Sequence, residues 1–152
     1  MGKYVSTYFS PKRGTINEII GFIDRCQETI DVAVYSITHD DVCAALIRAQ
    51  ERGVSIRVLT DGLQASSRYA DDEKLEAAGI PVRRRPAGGG SLHHKFAIAD
   101  SNAVGTGSFN WTVSAEERNQ ENFLIVRLKY VVEEYQNEFN DLWVKFAPEE
   151  TQ

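Results

Sequence analysis

Two basic side chains, His93 and Lys95, are separated by a single residue in the sequence. In a strand, successive side chains project to opposite faces, so His93 and Lys95 share one face and His94 points to the other. A histidine can attack as a nucleophile or carry a proton, and a lysine is a compact cation. One nucleophile and one fixed positive charge are therefore expected on the same surface.

Small polar residues follow at Gly107, Ser108 and Asn110. A glycine lets the backbone approach a ligand closely, and serine and asparagine supply neutral hydrogen-bond donors. Together with Lys95 they could hold phosphate oxygens and stabilise a pentavalent transition state, a task often given to metal ions. Three histidines without a paired Cys or His spacing indicate no metal site, and we expect no cofactor.

The complete spacing is His93-x-Lys95, four residues, Asp100, six residues, then Gly107-Ser108-x-Asn110. It matches the HKD signature of the phospholipase D superfamily, and the chain resembles the small single-motif bacterial endonucleases of that superfamily. The segments VAVYSIT (32–38) and GSFNWT (107–112), with the cluster Asn119, Glu121 and Asn122, fall where those proteins carry similar residues. The resemblance extends from about Tyr8 to the last predicted helix.

That resemblance implies a role for each residue of the signature. His93 would attack phosphorus to form a phosphohistidine, Lys95 and Asn110 would bind the phosphate, and Ser108 would assist through its hydroxyl. Glu121 would accept a hydrogen bond from the His93 ring and fix its tautomer; a surface ion pair with Arg118 is the alternative. Asp100 counts among the catalytic set, but strand parity places it on the opposite face, so we expect mainly a structural or electrostatic role for it.

The two-step reaction needs a second group that protonates the leaving oxygen and then activates water. His94 faces away by alternation, and His39 is expected at the start of a helix. Larger relatives carry the HKD motif twice and this chain carries it once, so a twofold homodimer that brings two copies of His93 together is the simplest completion. Coupled titration of the two imidazoles predicts a bell-shaped pH profile.

Other residues are candidates for substrate binding. Arg83 and Arg85, in the run 83–85, could line a groove for a polyanionic backbone, or could lie at a solvated strand end. Trp111 could stack on a base, with core packing as the alternative. The glycine-rich segment 87–91 (AGGGS) is expected to form a mobile loop beside the site.

Apolar periodicity predicts an α/β fold. Helices are expected over 15–26, with Thr15 as cap, after a cap at Asp40 or Asp41, over 71–78 and at the C-terminus. Strands are expected over 30–37, 54–60, 80–84 and 123–129, with a hairpin formed by 92–99 and 103–106. These elements predict a mixed, mostly parallel central sheet flanked by helices on both faces, the phospholipase D-like fold.

Length and composition fit one domain over residues 1–152: 42% of residues are hydrophobic and 26% are charged. A net charge of −5 disfavours indiscriminate nucleic-acid binding but allows a local basic groove. Cys26 and Cys43 fall in apolar stretches and are expected to be buried thiols, with a disulfide as the alternative. No leader peptide or membrane-spanning run is recognised, so a cytoplasmic protein without stable membrane association is expected; a removed leader would leave the same sequence.

The leading hypothesis is a metal-independent endonuclease that cleaves DNA or RNA. A phospholipase acting on a cardiolipin-like lipid phosphodiester is the alternative, for which an apolar helix or loop at the mouth of the cleft would be expected. A nucleic-acid-binding module with weak activity is the third possibility, and an intact His93, Lys95 and Asn110 argue against it.

Overall fold

A seven-stranded sheet runs through the part of the chain that the computed structural model describes, residues 3–150, in the order β1-β7-β6-β5-β2-β3-β4. The strands are β1 (Val5–Phe9), β2 (Thr29–Val34), β3 (Ser55–Asp61), β4 (Val82–Arg85), β5 (Lys95–Ala99), β6 (Ala103–Gly107) and β7 (Asn122–Val126). The helices are α1 (Thr15–Asp24), α2 (Asp40–Glu51), α3 (Gly62–Ala65), α4 (Asp72–Ala77), α5 (Val113–Glu117) and α6 (Lys129–Lys145).

The sheet is mixed, as predicted, but most of its strand pairs are antiparallel. Only the pairs β2–β3 and β3–β4 are parallel, because helical crossovers connect these strands. The pairs β2–β5, β5–β6, β6–β7 and β1–β7 are all antiparallel. The expectation of a mostly parallel sheet was wrong because the glycine-rich segment after β4 carries no helix and lets β5 return antiparallel beside β2.

Helices cover both faces of the sheet, which confirms that part of the prediction. One apolar cluster joins α1, α2 and α4 to the sheet and includes Ile19, Leu46 and Leu75. The second lies under α6, where Val132 and Phe139 pack on residues of the central strands. Buried strands between two helical layers explain the nearly uncharged β2 and β5 segments.

The caps of the first two helices differ from those predicted. The N-cap of α1 is Gly14, with φ of 75°, while the Thr15 hydroxyl donates to the Phe9 carbonyl at 2.7 Å. The N-cap of α2 is His39, whose Nδ1 accepts the Asp41 amide at 3.2 Å. His39 is therefore a helix-start residue, as expected, and performs the capping assigned to the aspartates.

The remaining differences concern strand ends. Strand β1, which no sequence pattern predicted, pairs at the edge with β7. Strand β5 begins at Lys95 rather than at residue 92, so His93 precedes the strand. Cys26 and Cys43 are free and buried, as expected, and burial raises the pKa of the two thiols to about 12 and about 11, respectively.

Candidate active site

The HKD residues meet at one edge of the sheet. This edge is formed by the carboxyl ends of β2, β3 and β6 and by the amino ends of β5 and β7, as the strand directions require. His93 and Lys95 stand at the start of β5, and Ser108 and Asn110 follow β6. The β5–β6 hairpin therefore brings both halves of the signature together.

Lys95 is directly bonded to His93. Its Nζ donates to the His93 carbonyl at 2.6 Å and lies 3.0 Å from the His93 Nδ1. Lys95 is 8% exposed, whereas the His93 side chain is open to solvent. Because an ammonium can only donate, this contact places the lone pair of neutral His93 on Nδ1 and the ring proton on Nε2. Attack through Nε2 requires the opposite tautomer, so a further acceptor must take the Nδ1 proton during catalysis.

Burial lowers the pKa of the Lys95 ammonium, and the negative charge of Glu121 opposes this effect. A partly desolvated cation interacts more strongly with a phosphate than a fully hydrated one does. The same burial makes the positive charge easier to lose as the pH rises. We therefore expect Lys95 to attract anions strongly up to a pH that lies below the ordinary pKa of lysine.

Tyr35 completes the surroundings of His93 and was not assigned a role from the sequence. Its ring centroid lies 4.8 Å from that of His93, and the Lys95 Nζ lies 5.3 Å from the Tyr35 ring. The Tyr35 hydroxyl accepts from Gln64 Nε2 at 3.0 Å, and its amide donates to the His94 carbonyl at 2.8 Å. Tyr35 lies in the VAVYSIT segment, so the resemblance marked the segment but gave no reason to single out this side chain.

Ser108 and Asn110 lie in the turn after β6. The Ser108 hydroxyl donates to Glu121 Oε1 at 2.9 Å and accepts the Asn122 amide at 3.0 Å. Asn110 Oδ1 accepts the Ser36 amide at 3.3 Å, which orients the side-chain amide while its Nδ2 is the group that phosphate oxygens need. These contacts leave the Asn110 Nδ2 as a neutral donor at this edge, because the single hydroxyl proton of Ser108 is already donated to Glu121.

Gly107 is needed for this turn. A Cβ built at residue 107, where φ is 156°, would lie 2.1 Å from the Asn122 carbonyl oxygen. A side chain would push β7 away from β6 and displace Ser108 from Glu121. The glycine of the signature therefore serves a close approach between strands.

Glu121 does not make the predicted bond to His93 within the described chain. Its carboxylate accepts from Ser108 and, at 3.5 Å, from Asn119 Nδ2. Nor does it pair with Arg118, the alternative partner. The Glu121 carboxylate lies on the β6–β7 side of the site, whereas the Nδ1 of His93 faces Lys95.

Asp100 lies at the opposite end of β5, in the β5–β6 turn, where its φ is 52°. Its carboxylate accepts the amides of Gln27, Glu28 and Thr29 and the Cys26 thiol. The structure therefore places Asp100 away from the catalytic set, and its geometry is that of the structural role expected from parity. Its carboxylate ties the hairpin to the chain before β2.

The arginines proposed for substrate binding are held by contacts within the protein. Arg83 donates to the Trp143 carbonyl, and its guanidinium lies 4.1 Å from the Trp143 ring. Arg85 donates to carbonyls of the segment 86–90, including Gly88 at 3.1 Å and Gly89 at 2.9 Å. Both guanidiniums keep their positive charge in these contacts, and Arg83 also lines a cavity with Arg84 and Lys145. Substrate binding by Arg83 and Arg85 stays a prediction.

Trp111 is buried, with 1% of its surface exposed, and packs in the core beneath α1 and α2. Its predicted stacking on a base is therefore wrong: the ring has no solvent-facing surface for a base to reach. Core packing, the alternative, is what the structure contains.

His94 lies beside α6, where its Nε2 is 3.3 Å from Glu138 Oε1.

Comparison with known proteins agrees with the fold. Residues 19–143 match the family described as "Cardiolipin synthase, PLD-like domain". The chain therefore belongs to the phospholipase D-like family, in which it carries a single HKD motif.

Sequence relatives include the mitochondrial cardiolipin hydrolase of Xenopus tropicalis, 36% identical over 82% of this chain and 59% of that protein. The phospholipase D of Rickettsia prowazekii is 36% identical over 90% of this chain and 66% of its own length. The chain thus spans about three fifths of the cardiolipin hydrolases that it matches.

Among solved structures, Nuc from Salmonella typhimurium, a phospholipase D family member, superposes with a TM-score of 0.85 and 29% identity. The match covers 91% of this chain and 93% of Nuc. NucT from Helicobacter pylori shares the fold, with a TM-score of 0.83. Both structures therefore share the fold of this chain.

Proposed function

We propose that this protein is a metal-independent phosphodiesterase that works through a covalent phosphohistidine. The observation that carries the proposal is the exposed His93 ring hydrogen-bonded to the buried Lys95 ammonium, at the sheet edge that also carries Ser108 and Asn110. A His93 ring nitrogen bonds to phosphorus as the bond to the alcohol oxygen breaks, and that oxygen takes a proton from a second acid. Water then attacks phosphorus, gives its proton to the same second group, and releases His93.

The second acid is proposed to be His93 of a second copy of the chain. We favour it over the other two histidines, because His39 caps α2 and the His94 Nε2 lies beside Glu138. A twofold homodimer brings two identical sites face to face and so supplies a second imidazole.

For the substrate, we propose the head-group phosphodiester of a phospholipid. Large apolar side chains are exposed at the same sheet edge as His93: Leu63 is 62%, Tyr69 63% and Val113 55% exposed. Leu63 follows β3, Val113 follows the Asn110 turn, and Tyr69 shares a cavity with Val113. These are the apolar groups expected at the mouth of a lipid-binding cleft. The relatives described as cardiolipin hydrolases and phospholipases D add support.

Within the chain described by residues 3–150, no helix is long and apolar enough to cross a membrane. The exposed side chains of Leu63, Tyr69 and Val113 are the groups that we propose to contact lipid. Such contact would be sensitive to substitution of these side chains by polar ones.

Nucleic acid is the second candidate substrate. It is supported by the resemblance to the small bacterial nucleases of the superfamily and by the common phosphodiester chemistry. The net charge of −5 and the internal contacts of Arg83 and Arg85 provide little of the positive surface that a polyanion needs.

The deciding experiment compares the parent with His93→Ala in excess EDTA on two kinds of substrate. One is mixed detergent micelles that contain phosphatidylcholine, phosphatidylglycerol or cardiolipin; the other is labelled single- and double-stranded DNA and RNA. Release of head group by the parent alone, with no cleavage of nucleic acid, supports the lipid proposal. Cleavage of nucleic acid alone makes the second candidate the function, and activity that survives in His93→Ala overturns the mechanism.

The composite site is tested by mixing subunits. The parent and His93→Ala are unfolded, mixed in equal amounts and refolded together, so that about one quarter of the dimers contain two parent chains. If each active site needs both copies of His93, activity falls to about one quarter of that of the same total protein as parent. Retention of about one half means that the sites are independent and contradicts the dimeric mechanism.

A further inference from the structure

A pocket of about 380 Å³ opens beside His93, between α6 and the β5–β6 hairpin. His93 and Lys95 form one wall, and Glu134, Tyr135 and Glu138 of α6 form the opposite wall. We call it the α6 pocket. Its volume is at the small end of ligand pockets, enough for a head-group alcohol on one side of a phosphate.

The α6 pocket has a fixed shape on its helix side. Tyr135 packs edge-on against Phe96, with ring centroids 4.9 Å apart, and its hydroxyl lies 3.3 Å from the Thr106 Oγ1. Glu138 lies beside the His94 Nε2 at 3.3 Å. These contacts hold α6 against the hairpin, so the two glutamates keep their place relative to Lys95.

The charge of the α6 pocket changes sign across its width. Lys95, with the lowered pKa that burial causes, marks the end that receives the scissile phosphate. Glu134 and Glu138 line the other end, where His94 is the one further basic side chain among the described residues that line the pocket. A phosphate bound at Lys95 therefore has carboxylates, rather than cations, next to the group attached to it.

We infer that Glu134 and Glu138 set the specificity of the site by excluding a second phosphate from the α6 pocket. Among phospholipids, the pocket then favours those whose adjacent alcohol is uncharged or carries a cation over cardiolipin, whose adjacent alcohol carries a second phosphate. This inference rests on the proposed phosphodiesterase function and adds to it the charge of the group next to the scissile bond. The exposed Leu63, Tyr69 and Val113 follow strands at the same edge but do not line the pocket, so acyl chains and head group have separate surfaces.

The expected size of the effect follows from Coulomb's law. In a pocket open to water, a carboxylate about 8 Å from a second phosphate lowers its binding roughly two- to fivefold, so the pair lowers it about tenfold. Salt weakens the repulsion because the separation is close to the Debye length.

The test uses three chromogenic diesters that all release nitrophenolate. Thymidine 5′-(4-nitrophenyl phosphate) has no second phosphate, its 3′-phosphorylated form has one, and 4-nitrophenyl phosphorylcholine carries a cation. We expect the parent to prefer the first over the second about tenfold in kcat/KM at low salt, and less at high salt. In the double variant Glu134→Gln/Glu138→Gln the preference should fall to within about twofold, with slower turnover of the choline ester.

Glu133→Gln is the matched control. Glu133 belongs to the same helix and has the same charge, but it points toward Lys129 at 3.7 Å and does not line the pocket. It should keep the preference of the parent. Equal rates of the parent on both nucleotides, an unchanged preference in the double variant, or an equal loss of preference in Glu133→Gln would each overturn the inference. No release of nitrophenolate from any ester by the parent would instead refute the phosphodiesterase function, and the inference with it.

Discussion

Replacement of Asp100 should destabilise the protein while leaving its chemistry intact. The carboxylate receives the main-chain N–H groups of Gln27, Glu28 and Thr29 at distances of 2.7 to 3.2 Å, and the Cys26 thiol at 3.1 Å. All four donors lie just before β2 or at its first residue, about seventy residues earlier in the chain. Asp100 therefore joins the β5–β6 turn to the start of β2 at the edge of the sheet remote from His93.

The magnitude follows from the exposure of these donors. The amides of Gln27 and Glu28 can turn to water, whereas the amide of Thr29 is partly buried. An unsatisfied donor costs about 1–3 kcal/mol when water cannot reach it, so Asp100→Asn should lower the free energy of unfolding by about 1–3 kcal/mol. Asp100→Ala should lower the free energy of unfolding by about 3–5 kcal/mol. Alanine loses the same hydrogen bonds and is also strained in the left-handed conformation of residue 100, where φ is 52°, whereas asparagine tolerates that conformation.

The loss should depend on pH. Burial raises the pKa of the Asp100 carboxyl, but hydrogen bonds from the Glu28 main chain, Cys26, Thr29 and Gln27 outweigh it and hold the pKa below its ordinary value. A carboxyl with a depressed pKa stabilises the folded state above its unfolded pKa of about 3.9, and that stabilisation disappears as the pH falls through the folded value. The difference in the free energy of unfolding between the parent and Asp100→Asn should therefore be largest at neutral pH and become smaller under acid conditions.

Urea unfolding measures the free energies, and nitrophenolate release well below the unfolding midpoint measures kcat. Asp24→Asn is the control, because Asp24 makes only an exposed ion pair with Arg48 and should cost less than about 1 kcal/mol. Asp100→Asn should keep kcat within about threefold of the parent. Unchanged stability combined with a hundredfold loss of kcat would refute the structural role and return Asp100 to the catalytic set.

Three further substitutions test the site. Tyr35→Leu removes the ring that packs on His93 and should lower kcat about tenfold or more, whereas Tyr35→Phe should stay within about threefold; equal losses in both variants would contradict positioning by the ring. In His93→Ala, binding of dimethyl phosphate should weaken as the pH rises, at pH values below the ordinary lysine pKa of about 10.4, because burial lowers the pKa of Lys95 more than Glu121 raises it. Lys95→Arg should still bind dimethyl phosphate over these pH values. Parallel pH curves for the lysine and arginine proteins would contradict the assignment of anion binding to Lys95. Trp111→Phe should destabilise the protein by about 1–3 kcal/mol without changing the ratio of activities on different bases; a changed ratio would show that Trp111 reaches substrate.

The sequence alone was sufficient for the reacting groups and for the elements that carry them. His93, Lys95, Ser108 and Asn110 belong to one hairpin and its flanks, so local alternation and a short turn already bring them together. Apolar periodicity likewise identified α1, α2 and α6, because a helix covering a sheet repeats its buried residues every three to four positions. The opposite placement of Asp100 followed from strand parity.

Only the tertiary structure decided which distant segments meet. The direction of β5 beside β2, the position of Tyr35 against His93, and the bond from Ser108 to Glu121 all join residues far apart in the chain. The local pattern of apolar residues indicates which face of a helix or strand is buried, but it does not indicate which neighbouring element covers that face.

The same reason explains the misassignment of Trp111 and the open role of Arg85. A tryptophan next to Asn110 is compatible with a solvent-facing loop or with the core. An arginine at the end of β4 is compatible with a substrate groove or with a loop whose carbonyls accept hydrogen bonds from its guanidinium. The choice depends on packing contributed by α1, α2 and the segment 86–90. The sequence thus determined the candidate reacting groups, because they are close in the chain, and the folded chain determined what surrounds them, because their environment is assembled from distant segments.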